Sequence, residues 1–445
     1  MKELGLIGAL WSTWRSGKQP REERLRLRGE RLRELVAYAR EHSPYYRELY
    51  RDVGPDFCLE DLPPTGKREL MDHFDDWCTD RAITLDKVKR FMENLDNIGR
   101  KLDGKYLVFT TSGSTGNPSV VLYDKTTNNV ASALAVLRSY ARKEDMKAFL
   151  KRGKKSAGLF AANGFYLGYG TMRHQLIKMP FKKGQMMPLD VQAPIEETVA
   201  RLNEFQPAML GGYPTALTLL ADEQAAGRLH ISPAVIMTGG EYLGDDVREK
   251  LGNAFGGYVQ TNYSCTEGGS VAHECRKQHF HLNEEWVIVE PVDEQNRPAP
   301  DGVQSAKLLL TNLNNYTQPL IRFEITDRVI LHHEPCGCGE EAPWLEIEGR
   351  TDDILTFENG VRIPPLALYA LLKEVPGVRR FQLIQKAGDL LELRFLADDM
   401  GMAFLHAREA LAAYLNGLGV TAEYLLSEEL PQTTAGGKFK HIVAL

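Results

Sequence analysis

Phe109-Thr110-Thr111-Ser112-Gly113-Ser114-Thr115-Gly116-Asn117-Pro118 follows an apolar, strand-like run, Tyr106-Leu107-Val108-Phe109, and precedes a second β-prone run, Ser119-Val120-Val121-Leu122-Tyr123. The two glycines, Gly113 and Gly116, let the backbone curl so that its N–H groups converge on one anion. Hydroxyls at Thr110, Thr111, Ser112, Ser114 and Thr115 add side-chain donors to the same concavity. That is the chemistry of a loop that holds polyphosphate. A P-loop would need Gly-Lys followed by Ser or Thr and then a helix. Here Asn117-Pro118 follows Gly116, and proline at that point argues against a helix starting there. Taken alone, the stretch also reads as a plain Ser/Gly-rich hairpin loop.

The rest of the chain bounds the setting. Its 445 residues suggest two or three domains with ample core. A composition 43% hydrophobic and 26% charged is that of an ordinary globular protein. Fifty-four basic residues against sixty acidic ones leave a net charge of −6, so no general affinity for nucleic acid is expected. Met1 to Trp14 is a poor signal peptide, and no segment reaches the roughly 18 apolar residues of a membrane span. Six cysteines in so long a chain are no disulfide framework, which makes a cytoplasmic location the expectation.

Periodicity predicts a helix over 20–41, in which the seven arginines between 21 and 40 interleave with four glutamates as a solvated, salt-bridged face. Ser43-Pro44-Tyr45-Tyr46 ends it, and Leu62-Pro63-Pro64-Thr65-Gly66-Lys67 turns into another helix. Helices are further predicted at 124–142, at 194–206, after Tyr213-Pro214 and from about Asp245. They alternate with strands at Ala208-Met209-Leu210, Val235-Ile236-Met237 and Gly257-Tyr258-Val259, the pattern of α/β layers. The aromatic, glycine-rich Asn163-Gly164-Phe165-Tyr166-Leu167-Gly168-Tyr169-Gly170 reads either as a buried junction or as the wall of a pocket for a planar acid. Two loops at strand ends, Thr238-Gly239-Gly240-Glu241 and Asn262-Tyr263-Ser264-Cys265-Thr266-Glu267-Gly268, lie where α/β sheets bind ligands.

The Ser/Thr/Gly loop resembles the phosphate-binding loop of the acyl-adenylate-forming superfamily, which usually has a lysine after the proline where this chain has Ser119. The opening "helix, Ser-Pro-Tyr-Tyr, Leu-Pro-Pro-Thr-x-Lys" looks like its phenylacetate–CoA ligase branch. That resemblance implies ATP contacts from Thr111, Ser112, Gly113, Ser114, Thr115 and Gly116, and from the adenine loop Gly239, Gly240 and Glu241 with Asn262. It further implies that Tyr263 stacks on adenine, Thr266 meets the α-phosphate and Glu267 holds Mg²⁺, a hard cation suited to a carboxylate. Asp327, closing Arg322-Phe323-Glu324-Ile325-Thr326-Asp327, would take the ribose hydroxyls, with Arg350 near ribose and phosphate. Asp352 would be the hinge, and Lys438, in Ala435-Gly436-Gly437-Lys438-Phe439-Lys440, would swing in to meet the acid and the α-phosphate. The acyl pocket is expected at Phe165, Tyr166, Gly212 and Tyr213.

Four of the six cysteines fall within 74 residues, with histidines between them. A closed Cys₃His site needs three thiolates and one imidazole, which Cys275, His281, Cys336 and Cys338 would supply; His279 and His273 compete for the imidazole position. Some relatives in that branch carry this arrangement, and it implies structural Zn²⁺.

The expected architecture is α/β: a large, multi-layered adenylate-forming domain over 1–350, with a zinc-stapled insertion at about 270–340, hinged to a small, mobile α+β domain over 351–445. The expected activity is an AMP-forming acid–thiol ligation, with an aryl or arylacetic acid, MgATP and coenzyme A. Three alternatives stay open: loading of a carrier-protein phosphopantetheine, an adenylyltransferase that leaves AMP on its product, and a silent nucleotide-binding protein. Neither nucleic acid nor a membrane is an expected partner, and a homodimer is left open.

Overall fold

The structure is a computed structural model, and it describes residues 3–111, 118–350, 354–363, 365–434 and 437–444. Its largest sheet has nine strands. Five run parallel, in the spatial order Met186–Asp190, Ser156–Phe160, Met209–Gly212, Val235–Thr238 and Tyr258–Cys265. Parallel neighbours need crossovers, and helices Leu167–Lys178, Ile195–Phe205, Pro214–Ala225 and Asp245–Phe255 supply them. The last begins with Asp245 and Asp246 at its positive end and stops at Gly256, whose φ of 68° is the left-handed cap that glycine favours. Beyond Tyr258–Cys265 the sheet turns antiparallel, through Gly269–Glu274, Phe280–Leu282, Trp344–Arg350 and Asp327–His332. Tyr258–Cys265 is therefore the strand at which connectivity changes, and its far end carries the Tyr263–Glu267 motif.

A second sheet, Lys101–Leu102, Tyr106–Thr110 and Val120–Tyr123, is a meander whose two longer strands are wholly buried. Thr110 lies opposite Val120, so the Ser/Gly stretch is the connection of this hairpin. Residues 112–117 lie outside the described residues. At the loop's base, Thr111 N–H donates to Ser119 O (3.1 Å) and Ser119 N–H to Thr111 Oγ1 (2.8 Å). A third sheet, Val287–Val292, Lys307–Asn312 and Leu320–Ile325, packs its Ile321 and Phe323 into the core formed by Leu35, Tyr46, Trp77 and Val108.

The helix expected at 20–41 is Arg21–His42. Ser43 does more than end it: Ser43 Oγ accepts from Tyr46 N–H and so caps a new helix, Pro44–Leu49. A helix at Leu6–Ser16, absent from the sequence expectations, packs along Lys125–Arg138. Its buried residues are small and polar, so no apolar stripe announces it.

Beyond residue 354, a four-stranded sheet in the order Glu423–Leu426, Leu390–Ala397, Val378–Ala387, Ile442–Val443 packs on helix Met400–Gly417. Ala403, Ala407, Leu411 and Leu415, one turn apart, bury the helix face. They join Leu355, Phe381, Leu393 and Ile442 in a core cluster of residues 355–442 alone. Asp352, the expected hinge, lies outside the described residues.

Candidate active site and metal cluster

Three segments from distant parts of the chain meet at the carboxyl ends of the parallel strands. The loop after Val235–Thr238 places Gly240 at φ 80°, and a Cβ there would sit 3.1 Å from Tyr213 Cε1 and 3.3 Å from Lys438 Cε. Only glycine allows that approach. The next residue, Glu241, accepts from Thr215 N–H (3.1 Å) and Thr215 Oγ1 (2.8 Å) with one oxygen, and from Phe439 N–H (2.7 Å) with the other. Burial pushes the Glu241 carboxyl up, against these donors and the Lys438 charge, which pull it down. Gly437 completes the contact, since a Cβ on it would lie 2.5 Å from Val191 and 3.1 Å from Ala161. Lys438 thereby lies beside the strand-end loop at Gly240.

The Tyr263–Glu267 motif stands at the switch in sheet direction. Tyr263 is buried, and its hydroxyl donates to Asp327 Oδ2 at 2.6 Å. Asp327 in turn lies directly across the strand pair from Arg350, whose side chain is outside the described residues. The backbone of the motif is pinned from the neighbouring sheets: Tyr123 OH donates to Thr266 O (2.9 Å) and Asn312 Nδ2 to Glu267 O (2.9 Å). Asn262 Nδ2 donates to Met237 Sδ at 3.3 Å, joining the two loops. Tyr263, Thr266, Glu267 and Asp327 are thus brought together, and the hairpin that carries the Ser/Gly loop touches them through Tyr123. Arg322, five residues before Asp327, is structural: it pairs with Glu290 at 3.0 Å and donates to the carbonyls of Glu60 and Leu62.

Of the four residues expected to wall an acyl pocket, two turn inward. Phe165 is 3% exposed and packs in the core, its ring 6.0 Å from Phe91, while its carbonyl accepts from Thr110 N–H. A Cβ on Gly212 would meet Leu159 O at 2.9 Å and Leu217 at 3.1 Å, so that glycine serves strand packing. Tyr166 is half-buried, and Tyr213 is buried, which pushes its hydroxyl up to about 12. Beside Tyr213, and absent from the expected wall, is Phe160, half-buried at a strand's carboxyl end and edge-on to the tyrosine (centroids 5.8 Å, 85°). Gly158 and Gly168 admit its ring, each with a hypothetical Cβ under 3 Å from it. The spacing of those glycines was the available signal: they make room for a protein ring.

The thiols converge as expected. One ligand atom from each of Cys275, His281, Cys336 and Cys338 lies within 4.8 Å of every other. Cys275 Sγ is 3.9 Å from Cys336 Sγ, close to the roughly 3.8 Å edge that a tetrahedral ion bound at about 2.3 Å to each sulfur sets. His281 Nδ1 donates to Ala342 O at 2.7 Å, which fixes the tautomer and turns Nε2 toward Cys336 (3.0 Å) and Cys338 (3.4 Å). Neither competing histidine belongs to the cluster. His273 has both ring nitrogens within hydrogen-bond reach, of Asn283 (3.0 Å) and Glu340 (2.9 Å), and His279 stacks on Trp344 at 4.0 Å. Burial pushes the Cys275 and Cys338 thiols up, the direction that a bound dication would reverse. Donor type, number and spacing fit a closed metal site.

No family model matches the chain. It is similar to a phenylacetate-coenzyme A ligase of Thermus thermophilus, 28% identical over 96% of this chain and 97% of that one. A phenylacetate-coenzyme A ligase of Aromatoleum evansii is 27% identical over 81% of this chain and 77% of that one. Among solved structures, 2-hydroxyisobutyryl-CoA ligase in complex with 2-HIB-AMP superposes with a TM-score of 0.68, at 20% identity, over 95% of this chain and 89% of that one. In motif order and over nearly its full length the chain is thus similar to phenylacetate-coenzyme A ligases, and it shares the fold of 2-hydroxyisobutyryl-CoA ligase.

Proposed function

We propose that this protein is an AMP-forming ligase that activates a carboxylic acid with MgATP to an acyl-adenylate and pyrophosphate, then transfers the acyl group to coenzyme A. One observation carries the reading: Lys438, held by the Glu241–Phe439 hydrogen bond, lies against Gly240 among the strand-end loops that carry the nucleotide motifs. A carboxylate is already a nucleophile, so the protein's part is alignment and charge compensation at the α-phosphorus. Lys438 supplies a cation there, Thr266 a hydroxyl, and the Ser/Gly loop backbone donors for the departing phosphates. Glu267 is the residue to hold Mg²⁺; that ion, when bound, neutralises phosphate charge. Asp327, released from Tyr263, has the acceptors for two vicinal ribose hydroxyls.

For the second half-reaction, the unit beyond residue 351 turns about Asp352 and withdraws Lys438, so that one site serves two reactions. The domain limits 1–350 and 351–445 belong to this proposal. Phe160, Tyr166 and Tyr213 line the acid's side of the site, and this wall, with the names of the relatives, favours an aryl or arylacetic acid. The Cys275, His281, Cys336 and Cys338 cluster holds structural Zn²⁺, which staples loops and takes no part in the chemistry.

Acid-dependent ATP–pyrophosphate exchange over a panel of aryl, arylacetic and short aliphatic acids tests the reading. Exchange with at least one acid, and AMP release once coenzyme A is added, is the expected result. A folded protein that exchanges with none overturns it. Within the active enzyme, Lys438→Ala is expected to lose about 10²–10³ in exchange while still converting supplied acyl-adenylate to thioester. Equal losses in both steps would rule out the division of labour between the two orientations.

A further inference from the structure

We propose that helix Leu6–Ser16 docks this protein on an anionic lipid surface, lying in the plane of the interface. The helix is mounted inside out. Its fully buried residues, Ala9, Thr13 and Ser16, are small and at most 1% exposed, and Leu10 packs beside them; Ile7 is 83%, Trp11 59% and Trp14 48% exposed. Positions 7, 11 and 14 form one outward stripe at helical spacing, and the two indoles stack at 5.2 Å. A surface helix of a globular domain carries the opposite pattern.

The mount is rigid. Thr13 Oγ1 accepts from the buried Trp286 Nε1 (2.9 Å), Arg31 donates to Ser12 Oγ (2.8 Å), and Asn129 Nδ2 donates to Leu4 O (2.9 Å). The apolar stripe is therefore held outward by the fold.

Cations flank both ends of the stripe. Arg15 and Lys18 continue it at one end, and no acidic residue occurs in Leu6–Ser16. At the other end, a cavity of about 410 Å³ opens beside Leu6 and is lined by Lys101, Lys125 and Lys178. Glu3 meets Lys125 at 3.0 Å, while Lys101 and Lys178 make no ion pair among the described residues. His174 lines the same cavity, its pKa lowered by burial, held up in part by its bond to Gly99 O, and lowered further by these two charges. In a chain of net charge −6 this is a local excess, placed where it complements phosphate headgroups.

Trp and Ile facing outward within a basic frame is the composition of an interfacial helix. A twofold contact with a second copy would set this patch against itself. Because both ends are cationic, either crossing direction opposes like charges. The expectation of no membrane partner rested on the lack of a spanning segment, which a helix lying in the interface does not need.

The test is co-sedimentation of the full chain with vesicles of phosphatidylcholine alone or with about one-third phosphatidylglycerol. Selective binding to the anionic vesicles is expected, with a blue shift of tryptophan emission; Trp77, Trp286 and Trp344 are already buried, so the shift reports Trp11 and Trp14. Ile7→Ser/Trp11→Ser/Trp14→Ser should weaken binding at least tenfold with an unchanged melting transition. Lys101→Glu/Lys178→Glu, which leaves the helix intact, should weaken it by about fivefold per site. Three results overturn the proposal: no binding, equal binding to neutral vesicles, or a concentration-dependent dimer that the triple substitution abolishes.

Discussion

Glu241 commits both carboxylate oxygens within the protein, one to Thr215 and one to the amide of Phe439. In the sequence it stands in a nucleotide loop; in the fold it clasps the segment that carries Lys438. A hydrogen bond to a charged group contributes about 1.5–3 kcal/mol. Glu241→Ala is therefore expected to lower acid-dependent pyrophosphate exchange by roughly 10–100-fold, while thioester formation from supplied acyl-adenylate changes little. Both rates measured on one preparation decide it, and a matched fall in both would make Glu241 a general structural residue. The loop itself was legible because glycines and a carboxylate at a strand end point to a ligand. The clasp was not legible, because its partner is a main-chain amide 198 residues away. Phe160 escaped for a related reason: an aromatic in a buried strand looks like core until the glycines beside its ring are seen in space.

The Cys275, His281, Cys336 and Cys338 cluster ties together the ends of three neighbouring strands of the large sheet. Cys275 follows strand Gly269–Glu274, His281 lies in Phe280–Leu282, and Cys336 and Cys338 come from the turn before Trp344–Arg350. Removing the ion from the folded protein with a strong chelator should lower the first melting transition by several degrees, and added Zn²⁺ should restore it. Metal content near one zinc per chain, lost in Cys336→Ser, is the accompanying expectation.

His441 immediately precedes the last strand, Ile442–Val443. His441 is packed among Phe381 (4.7 Å), Phe439 (4.8 Å) and Tyr369 (4.9 Å), and its Nδ1 donates to Phe381 O. Burial, with a contribution from Arg380, pushes the ring down to about 4. The unfolded chain titrates near 6.5 and so binds more protons between about pH 4 and 6.5. This contribution to stability is full above about pH 6.5 and is lost as pH falls toward 4. Urea melts at pH 7 and pH 4.5 should show the loss, and His441→Gln should shrink it. Regular elements were the easiest part to read: the helix expected at 194–206 is Ile195–Phe205, and the one expected from about Asp245 is Asp245–Phe255. Helix Leu6–Ser16 was illegible because its outward face, not its inward one, carries the large apolar residues.

Across the whole molecule, polar contacts between described residues join the unit beyond residue 354 to the rest. Besides the Glu241 clasp, Tyr369 OH reaches Asp246 at 3.4 Å and Arg362 pairs with Glu294 at 3.1 Å, both near the surface. Exposed pairs of this kind contribute about 0–1 kcal/mol, which suits the withdrawal of this unit proposed above. The amino-terminal core is built otherwise. Tyr46 and Trp77 both donate to Pro319 O at 2.8 Å, and Thr65 exchanges backbone hydrogen bonds with Arg322 and Glu324. Pro319 is translated 242 residues after Trp77, which at roughly 5–20 residues per second is a delay of about 12–50 s. During synthesis, then, the first hundred residues leave the ribosome with their greasy side open and wait for the third sheet to arrive. Nascent chains stalled before residue 319 should stay bound to holdase chaperones and protease-sensitive, and those stalled well beyond 325 should be released.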